Sequence, residues 1–216
     1  MNGIHDMGGM HGFGEVPYER DPEPFKNDME RRSFALTNLL LGYVGNVDRF
    51  RHTIEKLPIS TYLEGYYERW LATTERLAAE EGLVTRKELL ERCRTLARGE
   101  AAAPAEPIEV SAARGEGTTK RSVESAPRFG EGDAVLTNND HPRGHTRLPR
   151  YARGKRGIIA RVHPSFVFPD TNADGEGENP QYVYAVSFRG EDLWGEDAES
   201  GTKVQIDLFE SYLRPA

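Results

Sequence analysis

In the first half of the chain, apolar residues return every three or four positions. In the last third they return every second position. Phe34, Leu36, Leu39, Leu40 and Tyr43 form the first helical stripe. Val47, Phe50, Ile54 and Leu57 follow at spacings of three, four and three, predicting a short second helix from near Asn46 to just before Pro58. After Ser60 a wide stripe of Leu63, Tyr66, Tyr67, Trp70, Leu71, Thr74, Leu77 and Ala78 predicts a third helix, with Gly82 as its stop. Thr85-Arg86-Lys87-Glu88 is a capping box, in which the Thr hydroxyl and the Glu carboxylate can each satisfy an orphan backbone N–H. It opens a fourth helix with Leu89, Leu90, Cys93 and Leu96. Beyond residue 128 the two-residue rhythm predicts strands at Asp133–Thr137, Gly157–Val162, Tyr182–Phe188 and Lys203–Leu208, separated by Gly and Pro clusters. Several short strands in so small a region predict a barrel of SH3-like type.

These patterns divide the chain into an arm (residues 1–27), a helical domain (28–98), a linker (99–127) and an SH3-like β-barrel domain (128–216), an α+β organisation. The arm holds Gly3, Gly8, Gly9, Gly12 and Gly14, then Pro17, Pro22 and Pro24, so it cannot pack on itself. It also carries Ile4, Met7, Met10, Phe13, Val16 and Tyr18. Two readings stand: a loose terminus, or an extended arm that orders against another subunit. The linker is Ala, Pro, Glu, Gly, Ser and Thr, too long and too polar for a tight connection within one domain.

Composition narrows the function classes. A net charge of −7 opposes general affinity for nucleic acid or membrane surfaces. No apolar run approaches the roughly 18–20 residues that span a bilayer. Cys93 is the single cysteine, which excludes an internal disulfide and a thiolate metal cluster and fits a reducing, cytoplasmic setting. No basic region followed by an apolar run suggests a secretory signal.

Against this acidic background two arginines stand out. Arg51 falls on the apolar side of the second helix, between Phe50 and Ile54. Arg147 lies in His141–Arg161, a segment with seven Lys or Arg and no Asp or Glu. A guanidinium is always charged and offers a planar fork of donors suited to oxyanions. The basic segment has three readings: solvated surface, RNA binding by a small barrel, or recognition of an anionic group on a partner. Tyr66, Tyr67 and Trp70 read most simply as core, with an aromatic pocket wall as the alternative. Asp170-Thr-Asn172-Ala-Asp174-Gly175 begins like a calcium loop, but Gln181 at position twelve cannot supply the bidentate carboxylate, so an Asx-rich turn is expected. His141 and His145 flank Pro and Gly, which prevent a helix from aligning them as metal ligands. No metal site is expected on this chain. Nor can a nucleophilic triad, a phosphate loop or a dinucleotide fingerprint be assembled from it.

Motifs from end to end resemble the nitrile hydratase β subunit family. They are the arm Met1–Gly14, Val47-Asp48-Arg49-Phe50-Arg51, Tyr62 through Trp70, and Gly144 through Tyr151. Phe168-Pro169-Asp170-Thr171, Leu193-Trp194-Gly195 and Asp207 through Pro215 complete the series. Residues 99–127 carry none. The resemblance implies an α-subunit partner, in a heterodimer or heterotetramer. It implies a Co(III) or Fe(III) ion held by α, with two α cysteines oxidised to sulfinate and sulfenate, and hydration of small nitriles to amides. By resemblance, Arg51 and Arg147 hydrogen-bond those oxidised cysteines, while Tyr66, Trp70, Phe50, Val47 and Phe34 line the substrate pocket. Alternatives are a subunit like those of thiocyanate hydrolase, where the two halves occur as separate polypeptides, an SH3-like RNA-binding protein, and an assembly factor.

Overall fold

The side chain of Asn27 accepts the N–H of Glu30 at 2.9 Å and starts helix α1, Asp28–Val44. This capping replaces a hydrogen bond that the first turn cannot make for itself. Our computed structural model describes residues 3–101 and 118–216. It divides into two compact units, one of Met1–Tyr18 with Glu116–Ala216, the other of Glu19–Gly115. Most of the expected linker lies outside the described residues.

The second unit is helical. Gly45 closes α1 in the left-handed conformation, and Asn46 caps α2, Val47–Glu55, through Arg49 N–H. The stripe expected to form one third helix is instead two. Helix α3 is Ile59–Glu64 and α4 is Tyr66–Glu80, separated by Gly65 in an extended conformation. With no side-chain cap at Gly65, the Arg69 Nε donates back to the Gly65 carbonyl at 3.1 Å. Thr85 caps α5, Arg86–Ala97, by accepting the Glu88 N–H at 3.1 Å, as the capping box predicts.

Helix α1 packs along α4. Leu40, Phe50 and Leu77 form the buried centre, with Leu41, Val44, Ile54, Trp70, Ala78 and Leu83 around it. Thr37 and Thr74 meet through their hydroxyls at 2.8 Å within the contact, and Ser33 donates to the Tyr67 carbonyl at 2.8 Å. These bonds satisfy polar groups that burial would otherwise leave costly.

The first unit is built on an antiparallel sheet in the order β4-β3-β2-β1-β5. Its strands are β1 Ala134–Thr137, β2 Arg156–Phe166, β3 Gln181–Arg189, β4 Lys203–Phe209 and β5 Leu213–Pro215. Four of them fall where the alternation predicts. The fifth, only three residues long, carries too little pattern to be seen. Two register irregularities interrupt β2 between Ile159 and Arg161 and between Val162 and Ser165. Strands β4 and β5 are the two edges, so the sheet is not closed, in contrast to the expected barrel.

Val135, Ile159, Tyr184, Val186, Phe188 and Leu208 lie at the centre of this unit's core. Gly157 is needed for it. A Cβ there would lie 2.6 Å from Val186 and 2.9 Å from Phe188, inside their van der Waals surfaces. Residues 118–121 also belong here. Arg121 N–H donates to the Ser165 carbonyl at 3.0 Å, and the Arg121 guanidinium forms a two-pronged pair with Glu178 at 2.7 Å on each side.

Candidate functional site

Helix α2 presents two kinds of surface within one turn. Phe50 is buried, Val47 is half-buried and Arg51 is exposed. Arg51 therefore points outward, and not into the apolar face on which its spacing placed it. The cause is Asp48, one turn back. Its carboxylate is almost wholly buried and accepts Arg51 Nη1 at 3.0 Å. The pair holds one prong of the fork and leaves the rest of the guanidinium facing outward.

Phe50 joins α2 to an aromatic cluster centred on Trp70. The Trp70 ring stacks on Phe34 at 6.0 Å and meets Phe50 edge-on at 5.6 Å. It also contacts Tyr66 at 5.5 Å and Tyr67 at 5.8 Å. Phe34, Phe50, Tyr66 and Trp70 are thus gathered by three helices into one patch. The cluster is both core and surface: Phe50 is 4% exposed, whereas Phe34 is 41% and Tyr66 57% exposed. The Arg69 guanidinium lies over the Tyr62 ring at 4.4 Å and near that of Tyr66 at 5.5 Å, which adds a cation–π contact to the open edge. Val47 takes no part in the ring contacts.

Arg147 belongs to the other unit, on the loop between β1 and β2. Its guanidinium is exposed and makes no hydrogen bond or ion pair with the described residues. Its backbone, in contrast, is fixed. The Arg147 N–H donates to the Tyr212 hydroxyl at 2.9 Å, and Tyr212 donates in turn to Asp170. Thr146 reaches the same phenol oxygen at 3.3 Å. Burial and the facing Asp170 charge push the Tyr212 phenol far above its ordinary range, so it remains a donor at any working pH. Burial also raises the Asp170 carboxyl, against the lowering effect of the Tyr212 and Thr146 hydrogen bonds and of His145. Asp170 thus serves as an acceptor at the start of a helical turn, Pro169–Asn172, and not in a calcium loop.

On the other side of Arg147 the Leu148 carbonyl accepts two bonds from Arg153, from Nε at 3.2 Å and Nη2 at 3.1 Å. Arg153, one of the basic residues of the His141–Arg161 segment, is buried, so the solvated-surface reading does not hold for it. Its charge is met by Asp6 of the arm at 3.3 Å, and the same carboxylate accepts the Arg150 N–H at 3.1 Å. The arm is seated by its glycines. Gly9, at φ +71°, lies against Tyr151 so closely that a Cβ would be 2.8 Å from the ring. Its carbonyl accepts Trp194 Nε1 at 2.9 Å, and Trp194 stacks on Tyr151.

Sequence reasoning missed Tyr212, Asp170, Asp6 and Arg153. The Asp6–Arg153 contact spans 147 positions, beyond any local pattern. The available signal was an isolated acid in a glycine-rich arm. His145 is buried near Asp170, and His141 Nδ1 lies 3.1 Å from Arg153 Nη1. Among the described residues no group of three or more His, Cys, Asp or Glu is placed to hold a metal ion. No described helix is long and apolar enough to cross a membrane.

Two family models cover the chain: the nitrile hydratase beta subunit N-terminal model matches residues 1–116, and the C-terminal model matches residues 118–215. The chain belongs to the nitrile hydratase beta subunit family. Its relatives include the nitrile hydratase subunit beta of Pseudomonas putida, 41% identical with both chains covered in full. The low-molecular weight cobalt-containing nitrile hydratase subunit beta of Rhodococcus rhodochrous is 35% identical, again over the whole of both. Thiocyanate hydrolase subunit alpha of Thiobacillus thioparus is 30% identical over 41% of this chain and 72% of its own. In this nitrile hydratase beta chain, the N-terminal model spans the helical unit and also the arm, residues 1–18, which packs with the sheet unit. Arg51 and the aromatic cluster fall under the first model, while Arg147, Arg153, Asp170 and Tyr212 fall under the second.

Proposed function

We propose that this chain is the β subunit of a nitrile hydratase, active only with an α subunit that holds Co(III) or Fe(III). The metal, when bound by the partner, supplies the Lewis acidity for adding water to a nitrile to give an amide. This chain supplies donors and walls. Arg51 and Arg147 hydrogen-bond the oxygens of the partner's oxidised cysteines, and so hold those ligands in position. Phe34, Val47, Phe50, Tyr66 and Trp70 border the substrate pocket and exclude water from one side.

The observation that carries this reading is Arg147: its backbone is anchored while its charged fork is left open. An ordinary solvated arginine needs no such anchoring. Arg51 follows the same scheme, with the buried Asp48 as anchor. The family relationship adds the chemistry, because oxidised cysteines would provide an anion for the Arg147 fork and for the part of the Arg51 fork that Asp48 leaves open.

Exposed apolar side chains support a partner for the arm. Phe13, Val16 and Tyr18 are 65%, 90% and 86% exposed. An arm that docks by residues 3–10 and leaves these uncovered suits wrapping around an α subunit, in a heterodimer or heterotetramer. A four-strand meander whose fifth strand returns beside the first supports the SH3-like barrel as the parent form of the open sheet. The single cysteine supports a cytoplasmic setting.

Co-expression with the α subunit tests the proposal. The purified complex is expected to contain cobalt or iron and to hydrate small nitriles. A complex that instead hydrolysed thiocyanate and left nitriles untouched would favour the second relationship, and a metal-free, inactive complex would refute the proposal.

A further inference from the structure

The loop that carries Arg147 is gripped on both flanks through groups distant from it in the sequence. On one flank the Arg147 N–H is held by Tyr212, itself held by Asp170. On the other, Arg153 donates from Nε and Nη2 to the Leu148 carbonyl, with Nη1 beside His141. Arg153 is buried, with a side chain 1% exposed, and an uncompensated charge there would be strongly unfavourable. Asp6 supplies the compensation and also takes the Arg150 N–H. The fit is specific: the carboxylate binds one guanidinium and one backbone amide three residues apart. The glycine pair that follows allows the arm to lie on Tyr151 and reach this position.

We propose that Asp6 and Arg153 are positioning residues for Arg147, an inference that rests on the role proposed above for that arginine. Asp6 fixes Arg153. Arg153 fixes the Leu148 carbonyl while Tyr212 holds the Arg147 N–H, so the backbone is held on both sides of Arg147 and sets the direction in which its fork leaves. The N-terminal arm thereby becomes part of the device that aims a charged group, beyond any role in assembly. A fork that must meet a fixed anion tolerates little error in direction, so loosening the carbonyl costs turnover and leaves the apolar pocket alone.

The test uses the complete complex with the α subunit, comparing Asp6→Asn, Arg153→Lys and Arg147→Lys, each alone, and Asp6→Asn combined with Arg147→Lys. Asp6→Asn keeps the shape of the side chain and removes its charge, so the complex is expected to assemble. Its kcat for nitrile hydration should fall about tenfold to a hundredfold, the range for losing an outer support of a metal-site ligand, with KM nearly unchanged. Amide hydrogen exchange should rise in the segment 146–153 and stay constant in the helices. Because Asp6 acts through Arg147, adding Asp6→Asn to Arg147→Lys should cause little further loss. Arg153→Lys, which retains the charge but cannot span both bonds, should behave like Asp6→Asn. Normal kcat in both Asp6→Asn and Arg153→Lys, beside a slow Arg147→Lys, would overturn this inference and leave the proposed function intact. Fully multiplicative losses in the double variant would also overturn it. Normal kcat in Arg147→Lys would instead remove the reading on which it stands.

Discussion

Asp48 lies one turn before Arg51 on α2 and binds its Nη1 at 3.0 Å, the carboxylate buried and the guanidinium 45% exposed. The asymmetry makes Asp48 a fixed anchor and Arg51 the presented group. Asp48 also sits in the first turn, where the positive end of the helix favours a carboxylate. Asp48→Ala is expected to lower the stability of the helical unit by about 1–3 kcal/mol, because a charged partner is left unpaired and a first-turn acid is lost. It should also slow nitrile hydration in the complex. Thermal melts and steady-state kinetics check both. An unchanged rate with lowered stability would confine Asp48 to a structural role.

Tyr66 and Trp70 share one aromatic cluster but differ in burial, so they should respond differently. Tyr66 is 57% exposed, and Tyr66→Ala is expected to shift the melt little, within about 0.5 kcal/mol, while changing KM among nitriles of different bulk. Trp70 touches four rings, and Trp70→Ala should cost about 2–4 kcal/mol through the cavity it leaves. Equal losses of stability from the two variants would contradict this division between surface and core.

The Asp170 carboxyl is raised by burial, with the Tyr212 and Thr146 bonds opposing the shift. The sign follows from linkage. Folding favours the protonated form, so the stability this group contributes is complete below its unfolded value near 3.8 and is lost as the pH rises through the higher folded value. Asp170→Asn removes the titration and can still accept from Tyr212. The stability of Asp170→Asn relative to the unaltered chain is therefore expected to increase from pH 4 toward pH 7. Denaturant titrations across that range check this, and a constant difference would refute it.

Gly9 at φ +71° lies where a side chain would meet both Tyr151 and Trp194. Gly9→Ala is expected to release residues 3–10 from the sheet unit, because it adds backbone strain to a steric overlap. Limited proteolysis should cut the arm faster in this variant, and the Trp194 fluorescence should change as its bond to the Gly9 carbonyl is lost. Identical cleavage rates would argue against the docking.

The fold was legible where a local rhythm or a cap carries it. Asn46, Thr85 and the stripe through Leu77 mark helices because each effect acts within one or two turns. The break at Gly65 was hidden, since the apolar stripe runs through it without a change of period. The open sheet was hidden too: alternation identifies strands, while closure depends on which edges meet. At the candidate site, Arg51 and Arg147 stood out by charge against their neighbours. Their anchors differ in legibility. Asp48 is within one turn, but Tyr212 lies 65 residues from Arg147 and Asp6 lies 147 from Arg153, so only the folded chain joins them. The outward direction of Arg51 was also beyond spacing, because a buried partner, and not helix phase alone, sets it.

In the proposed complex, two guanidinium forks hold oxygen atoms of the partner's oxidised cysteines. Turnover of the Arg51→Lys and Arg147→Lys complexes tests it most directly, since lysine keeps the charge and loses the planar fork. With assembly verified by size-exclusion chromatography and metal content unchanged, each substitution is expected to reduce kcat by about tenfold or more. Near-normal kcat in both variants would contradict the claim.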